Sequence, residues 1–173
     1  MLVDNKVLEK IIGAAEISKG ETVCEAGTGL GILTAELCKR AGKVISFEVD
    51  KRLLEKAKKL LRYENLELVS SDPFKIGTLD FEVFVSNLPY SRSRDAIEWL
   101  ATQKFDRGII MVQREFAEKL VASPGEKDYR AISALAGHCF KISQVISVGR
   151  KSFSPQPEVE SVVLKIVPTN MVT

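Results

Sequence analysis

Apolar positions along the chain switch between two periods, and each switch marks a new element. Val3, Val7, Leu8, Ile11, Ile12 and Ala15 recur at helical spacing behind Asp4, a good helix-capping residue, so residues 4–16 are expected to form an amphipathic helix. Short apolar runs predict strands over residues 22–26, 43–48, 66–70, 81–86 and 107–112. Helical patterns separate them at 32–40, with Gly42 as its stop, at 52–63 and at 94–102. In the second of these, Leu53, Leu54, Ala57, Leu60 and Leu61 share one face. Two more helices are expected at 115–122 and 129–138, divided by the turn Ser123-Pro124-Gly125. The last two strands, 140–148 and 161–167, have no helix between them, only a loop holding Ser154-Pro155-Gln156-Pro157, so they should pair antiparallel. Strand–helix alternation of this kind implies an α/β fold. The expected sheet has seven strands, mainly parallel, with an antiparallel last strand and helices on both faces.

Composition narrows the class without naming a chemistry. The chain has 173 residues, 45% hydrophobic and 28% charged, enough for one globular domain spanning residues 1–173. No apolar run approaches the ~20 residues of a membrane span. The N-terminus lacks a signal-peptide pattern. Cys24, Cys38 and Cys139 are scattered and form no CxxC, which argues against a zinc site or a disulfide framework. A monomer in the reducing cytoplasm, with no bound metal, is the expectation. The net charge of +2 is too small to indicate nucleic acid unaided. Local basic clusters exist, notably Lys51, Arg52, Lys56, Lys58, Lys59 and Arg62 along one helix, and an ordinary solvated face explains them equally well. The one histidine, His138, falls in an apolar helix and reads as structural.

The first chemical signal is Glu25-Ala26-Gly27-Thr28-Gly29-Leu30-Gly31, between the first strand and its helix. Glycines there let the backbone take left-handed conformations and approach a ligand closely. The spacing is GxGxG, not the GxGxxG of a dinucleotide site, and no Lys-Ser/Thr follows to make a phosphate loop. Alone, the loop could be a tight turn. Glu48 ends the second strand, where a carboxylate can accept ribose hydroxyls. Asp72 follows the third, where it can accept from an adenine amine. Loop and acids together suit a nucleoside without phosphates, and S-adenosyl-L-methionine fits that description.

The second signal is Asn87-Leu88-Pro89-Tyr90 at the end of the fourth strand. An adenine amine is a poor nucleophile because its lone pair is delocalised into the ring. Acceptors placed against its hydrogens, the Asn87 side-chain oxygen and the Leu88 carbonyl, can draw it toward a tetrahedral geometry. Pro89 has a fixed φ and can hold that carbonyl in place. Tyr90 can stack on the base. Phe153 is the candidate for the opposite aromatic wall around a flipped or unpaired base. The competing readings are a strand-ending turn for the tetrapeptide and loop packing for Phe153.

These residues resemble one family. Glu25-Ala-Gly-Thr-Gly-Leu-Gly-Ile-Leu-Thr34, Phe47-Glu-Val-Asp-Lys-Arg-Leu53, Asn87-Leu-Pro-Tyr90, Gln113-Arg-Glu-Phe-Ala117 and the Phe153-x-Pro-x-Pro-x-Val-x-Ser161 run occur in the order seen in KsgA-like rRNA adenine dimethyltransferases. Pro124-Gly-Glu-Lys-Asp-Tyr129 is similar to a loop of the family's archaeal members. The resemblance implies a class I, Rossmann-like methyltransferase that uses S-adenosyl-L-methionine to dimethylate adenines of small-subunit rRNA. The expected cofactor contacts are Glu25, Gly27, Gly29 and Gly31 from the loop, Glu48 with Val49, Asp72 with Pro73, and Asn87. The expected reacting set is Asn87, Leu88, Pro89, Tyr90 and Phe153.

Two departures bear on binding more than on chemistry. Family members usually carry a Gly-Gln-Asn-Phe-Leu segment ahead of the Val-Asp and a helical domain after the sheet. This sequence runs Met1-Leu2-Val3-Asp4 and stops at Thr173, which leads to an expectation of weaker cofactor retention and altered RNA selection. A non-catalytic cofactor- or RNA-binding module in ribosome assembly stays open as an alternative. So does methylation of another planar amine or amide, in DNA, tRNA or a protein glutamine.

Overall fold

A computed structural model describes Leu2 and residues 4–169, so Val3 of the expected first apolar stripe lies outside the described residues. Helix α1 (Asn5–Ala15) is capped by Asp4, whose carboxylate accepts from the Lys6 and Val7 amides, and it buries Val7, Ile11, Ile12 and Ala15. Then follow β1 (Thr22–Ala26), α2 (Ile32–Cys38), β2 (Lys43–Phe47), α3 (Lys51–Leu60), β3 (Leu66–Val69) and β4 (Val83–Ser86). The second half holds α4 (Ser93–Leu100), β5 (Arg107–Gln113), α5 (Arg114–Val121), α6 (Ala131–Cys139), β6 (Phe140–Val148) and β7 (Ser161–Pro168).

The strands form one sheet in the order β3-β2-β1-β4-β5-β7-β6. Its first five strands are parallel, and β7 runs antiparallel to both β5 and β6. Side chains along the strands alternate between two cores, as the pleat requires. Val23, Val44, Val83, Val85, Ile109 and Met111 pack with α1 and α2 on one face. Cys24, Phe84, Ile110, Val112 and Leu164 pack with α4, α5 and α6 on the other. The expected fold class is the observed one.

Three details depart from the sequence pattern. Helix α3 ends at Leu60, and Leu61 is already extended, so Leu60 points outward and only Leu54 and Ala57 of the expected face are buried. The end of α2 is set at Cys38, with Lys39 still right-handed. Gly42 is therefore not a left-handed helix stop. It lies where the chain turns into β2, its amide donating to the Glu21 carbonyl (2.9 Å), and a Cβ there would fall on the Lys19 carbonyl oxygen. His138 is exposed at the end of α6 and is not a core residue.

Gly42→Ala should destabilise the fold by about 1–3 kcal/mol, because backbone oxygen cannot move aside as a flexible side chain can. Gly13→Ala, in α1 with open space around it, should stabilise by about 0.5–1 kcal/mol. Urea unfolding of the two variants checks the opposite signs, and equal effects would show that Gly42 is not sterically required.

Candidate active site

Strands β1 and β4 lie side by side with Ala26 opposite Ser86. The glycine loop and the tetrapeptide therefore leave the sheet from neighbouring strand ends. Both border one cleft of about 840 Å³, lined also by Glu48, Val49, Asp72, Pro73, Tyr90 and Phe153. Every residue expected from the sequence to touch cofactor or base lies on this cleft.

The glycine loop is held from below by the sheet. Gly27 and Thr28 amides both donate to the Phe47 carbonyl, at 2.8 and 3.1 Å. Gly27, Gly29 and Gly31 have φ of 90°, 57° and 87°, a region that disfavours side chains. At Gly27 a Cβ would also press within 3.3 Å of the Leu88 side chain, so this glycine lets the loop and the tetrapeptide approach. Glu48 is buried, and its two oxygens accept from the Gly29 amide (2.8 Å) and the Asp50 amide (3.0 Å). These bonds fix the carboxylate and leave each oxygen further acceptor capacity. Val49 beside it is two-thirds exposed, a free apolar surface at the rim.

Under the loop lies a hydroxyl network that the sequence pattern does not single out. Glu25 stands opposite Ser46 in the β1–β2 register. Its Oε1 accepts from Ser46 Oγ (2.6 Å) and from Thr34 Oγ1 of α2 (2.5 Å), and Ser46 bonds Thr28 Oγ1 (2.6 Å). The Glu25 Oε2 atom is buried on the cleft wall without a hydrogen-bond partner. Burial pushes the Glu25 carboxyl from its usual 4.5 up to about 7; the two hydroxyls oppose that rise, and the Glu48 charge adds to it. An orphaned buried carboxylate oxygen fits a ligand bearing an ammonium group.

The opposite wall is built from the tetrapeptide. Pro89 has φ −53° and ψ 141°, and its carbonyl accepts from the Arg92 amide (2.9 Å), closing the turn. The Asn87 side chain has no hydrogen-bond partner among the described residues. The Tyr90 hydroxyl bonds Ser161 Oγ, a buried position at the start of β7, which anchors the ring from its far end. Phe153 lines the cleft with most of its ring packed in the core, and it bridges to Leu2 by backbone pairing. Ser152 donates to Asp4 Oδ2 (2.7 Å), so the start of α1 and the Phe153 segment are tied together.

Asp72, expected to accept from an adenine amine, already has a partner on each oxygen. Its Oδ1 accepts from the Phe74 amide (2.9 Å), and its Oδ2 pairs with Arg92 (2.5 Å). Arg92, Ser161, Ser46 and Thr34 hold cleft residues through bonds that local sequence reading does not announce. Their partners lie 9 to 71 residues away along the chain. Among the described residues no group of histidines, cysteines and acids could hold a metal ion, and no helix is long and apolar enough to cross a membrane.

Residues 1–172 match the family model for ribosomal RNA adenine dimethylase. A probable ribosomal RNA small subunit methyltransferase A from Thermococcus sibiricus is 39% identical over 167 residues, covering 96% of this chain and 61% of its own length. The chain thus spans about three-fifths of such curated relatives. The crystal structure of a dimethyladenosine transferase from Plasmodium falciparum superposes with a TM-score of 0.90 at 35% identity, over 98% of this chain and 63% of that one. That of the 23S rRNA methyltransferase ErmE superposes at 0.86 with 29% identity, over 98% of this chain and 70% of that one.

The raised Glu25 carboxyl predicts a pH signature. Its protonated form is favoured by the fold, so its stabilising contribution is complete below about pH 4.5 and is lost as pH rises through about 7. The 4.5-to-7 shift corresponds to on the order of 3 kcal/mol. Thermal unfolding of the ligand-free protein should show wild type losing ground to Glu25→Gln across that window. Parallel curves for the two proteins would contradict the burial of an uncompensated carboxyl.

Proposed function

We propose that this chain, which belongs to the ribosomal RNA adenine dimethylase family, methylates the exocyclic amine of adenine in rRNA, with small-subunit rRNA as its substrate. The observation that carries this reading is the shared cleft: a nucleoside-type wall of glycines and Glu48 faces an amine-holding wall of Asn87, Leu88, Tyr90 and Phe153. S-adenosyl-L-methionine, when bound, supplies an electrophilic methyl carbon on its sulfonium.

The chain's own residues then have separable tasks. Glu48, fixed by two amides, offers its remaining lone pairs to ribose hydroxyls. Glu25 Oε2 offers a partner for the ammonium of the cofactor's amino-acid portion, whose positive charge would draw the raised Glu25 carboxyl back to its ionised form. Val49 and Pro73 give apolar contact to the adenosine, and Gly31, where a Cβ would fall 2.6 Å from the Leu61 side chain, lets the loop's end pack on that residue. Asn87, unengaged by other side chains, and the Leu88 carbonyl accept the two amine hydrogens and keep the nitrogen lone pair directed at the methyl donor. Tyr90, held by Ser161, and Phe153, held by the core, hold the base between them. Positioning of this kind can supply a large share of the rate without a general base.

The seven strands and their helices act, in this reading, as a single catalytic unit over residues 1–173. It works as a cytoplasmic monomer on RNA, with no metal. The two names among its similar structures, a dimethyladenosine transferase and a 23S rRNA methyltransferase, support rRNA adenine as the substrate class.

Labelled methyl transfer to unmodified small ribosomal subunits tests the assignment. Asn87→Ala should lower kcat by about 10²-fold or more, since orientation of the reacting atoms is lost. Its affinity for S-adenosylhomocysteine should fall by less than about tenfold, ~1.4 kcal/mol, because Asn87 is one of several expected cofactor contacts. Phe153→Ala should raise KM for the RNA by about 10-fold, from the loss of one stacking surface. Full transfer by Asn87→Ala would overturn the role of the tetrapeptide.

A further inference from the structure

The Arg92–Asp72 pair joins the two walls of the cleft. Arg92 lies two residues beyond the tetrapeptide, and its amide closes the turn on Pro89. Its guanidinium reaches back to the cofactor-side wall. It bonds Asp72 Oδ2 at 2.5 Å, lies 5.3 Å from the centroid of the Phe74 ring, and stands 3.5 Å from Asp95. Asp72 is mostly buried, and its other oxygen caps the short turn Pro73–Lys75 through the Phe74 amide. A carboxylate expected to read an adenosine amine is thus already bonded to the residue that ends the base-holding turn.

We propose that Arg92 is a positioning residue that couples the occupancy of the cofactor half-site to the order of the base half-site. The inference rests on the functional reading above. An amine donated to Asp72 would use a remaining lone pair and hold the carboxylate in one orientation. That orientation fixes the guanidinium, and the guanidinium fixes the Pro89–Arg92 turn from which the Asn87 and Leu88 acceptors project. With the cofactor half filled, less ordering is left for the RNA to impose, and it binds more tightly. Coupling of this type is reciprocal. The alternative role, in which Arg92 serves only as a fold contact, predicts loss of stability with no change in coupling.

The chain carries its own reporter. Its single tryptophan, Trp99, packs against Phe74 with ring centroids 5.6 Å apart and donates to the Ile76 carbonyl (3.0 Å). Trp99 fluorescence can therefore follow S-adenosylhomocysteine binding. Anisotropy of a fluorescein-labelled single-stranded oligoribonucleotide, with one adenine in a uridine tract, follows the base half-site. An all-uridine oligomer gives the background.

In wild type, saturating S-adenosylhomocysteine should tighten binding of the adenine oligomer by roughly 5-fold or more, the lower range of ordinary coupling. Arg92→Met should abolish that tightening while its own affinity for S-adenosylhomocysteine falls by less than about 3-fold, and Arg92→Lys should restore part of it. Equal tightening in wild type and Arg92→Met overturns the proposal. So does binding of both ligands by wild type with no tightening. Failure of wild type to bind S-adenosylhomocysteine at all is seen in the first titration and overturns the functional reading itself. If Arg92→Met unfolds, Arg92→Lys and Asp72→Asn decide: each must reduce the tightening, and full coupling in either overturns the proposal.

Discussion

The parallel pairing of β1 with β4 is the constraint on which the rest of the structure depends. At this point the strand order reverses direction, with β2 and β3 on one side and β5, β7 and β6 on the other. Loops leaving the carboxyl ends of adjacent strands at such a reversal diverge to opposite faces and leave a crevice between them. Ala26 stands opposite Ser86, so the glycine loop starts beside the tetrapeptide, one residue past each strand. The two segments come close enough that a Cβ on Gly27 would press on the Leu88 side chain. In the proposed function, a ligand lying on the glycines and a base held by Asn87 would then meet in the same cleft.

Polar groups maintain that arrangement from beneath and behind. Glu25, Ser46, Thr34 and Thr28 tie β1, β2, α2 and the loop into one buried network. The network is incomplete by one carboxylate oxygen, which is the energetic cost of keeping an acid at the floor of the cleft. On the other wall Ser161 fixes Tyr90 from β7, the strand antiparallel to both its neighbours. The C-terminal strands therefore contribute to the site although neither the glycine loop nor the tetrapeptide belongs to them.

Most of this was legible in the sequence where the signal is local. The hydrophobic periods placed all seven strands, and β1 and β6 fall on their expected ends: β1 as a short buried run, β6 as an edge strand in which apolar and polar residues are mixed between the end of α6 and a loop. The glycine spacing and Asn87–Tyr90 stood out because each needs particular residue types at consecutive positions. What was hidden depends on register and on contacts between distant segments. Ser46 becomes a partner of Glu25 only through the β1–β2 alignment. Ser161 reaches Tyr90 across 71 residues. Asp72 pairs with Arg92, 20 residues away, and nothing near Asp72 in sequence announces that bond. Gly42 was misread for a related reason: the carbonyl it must accommodate belongs to Lys19, on a different segment.

The central claim is that cofactor and target base occupy facing halves of one cleft. A bisubstrate compound, in which the amine nitrogen of adenosine is joined covalently to the position of the transferable methyl in an S-adenosylhomocysteine-like amine, spans both halves. Its dissociation constant, measured by calorimetry, should be at least about 100-fold lower than that of S-adenosylhomocysteine, because the second half binds at high effective concentration. An affinity no greater than that of S-adenosylhomocysteine would show that the two walls do not act on a common reacting centre.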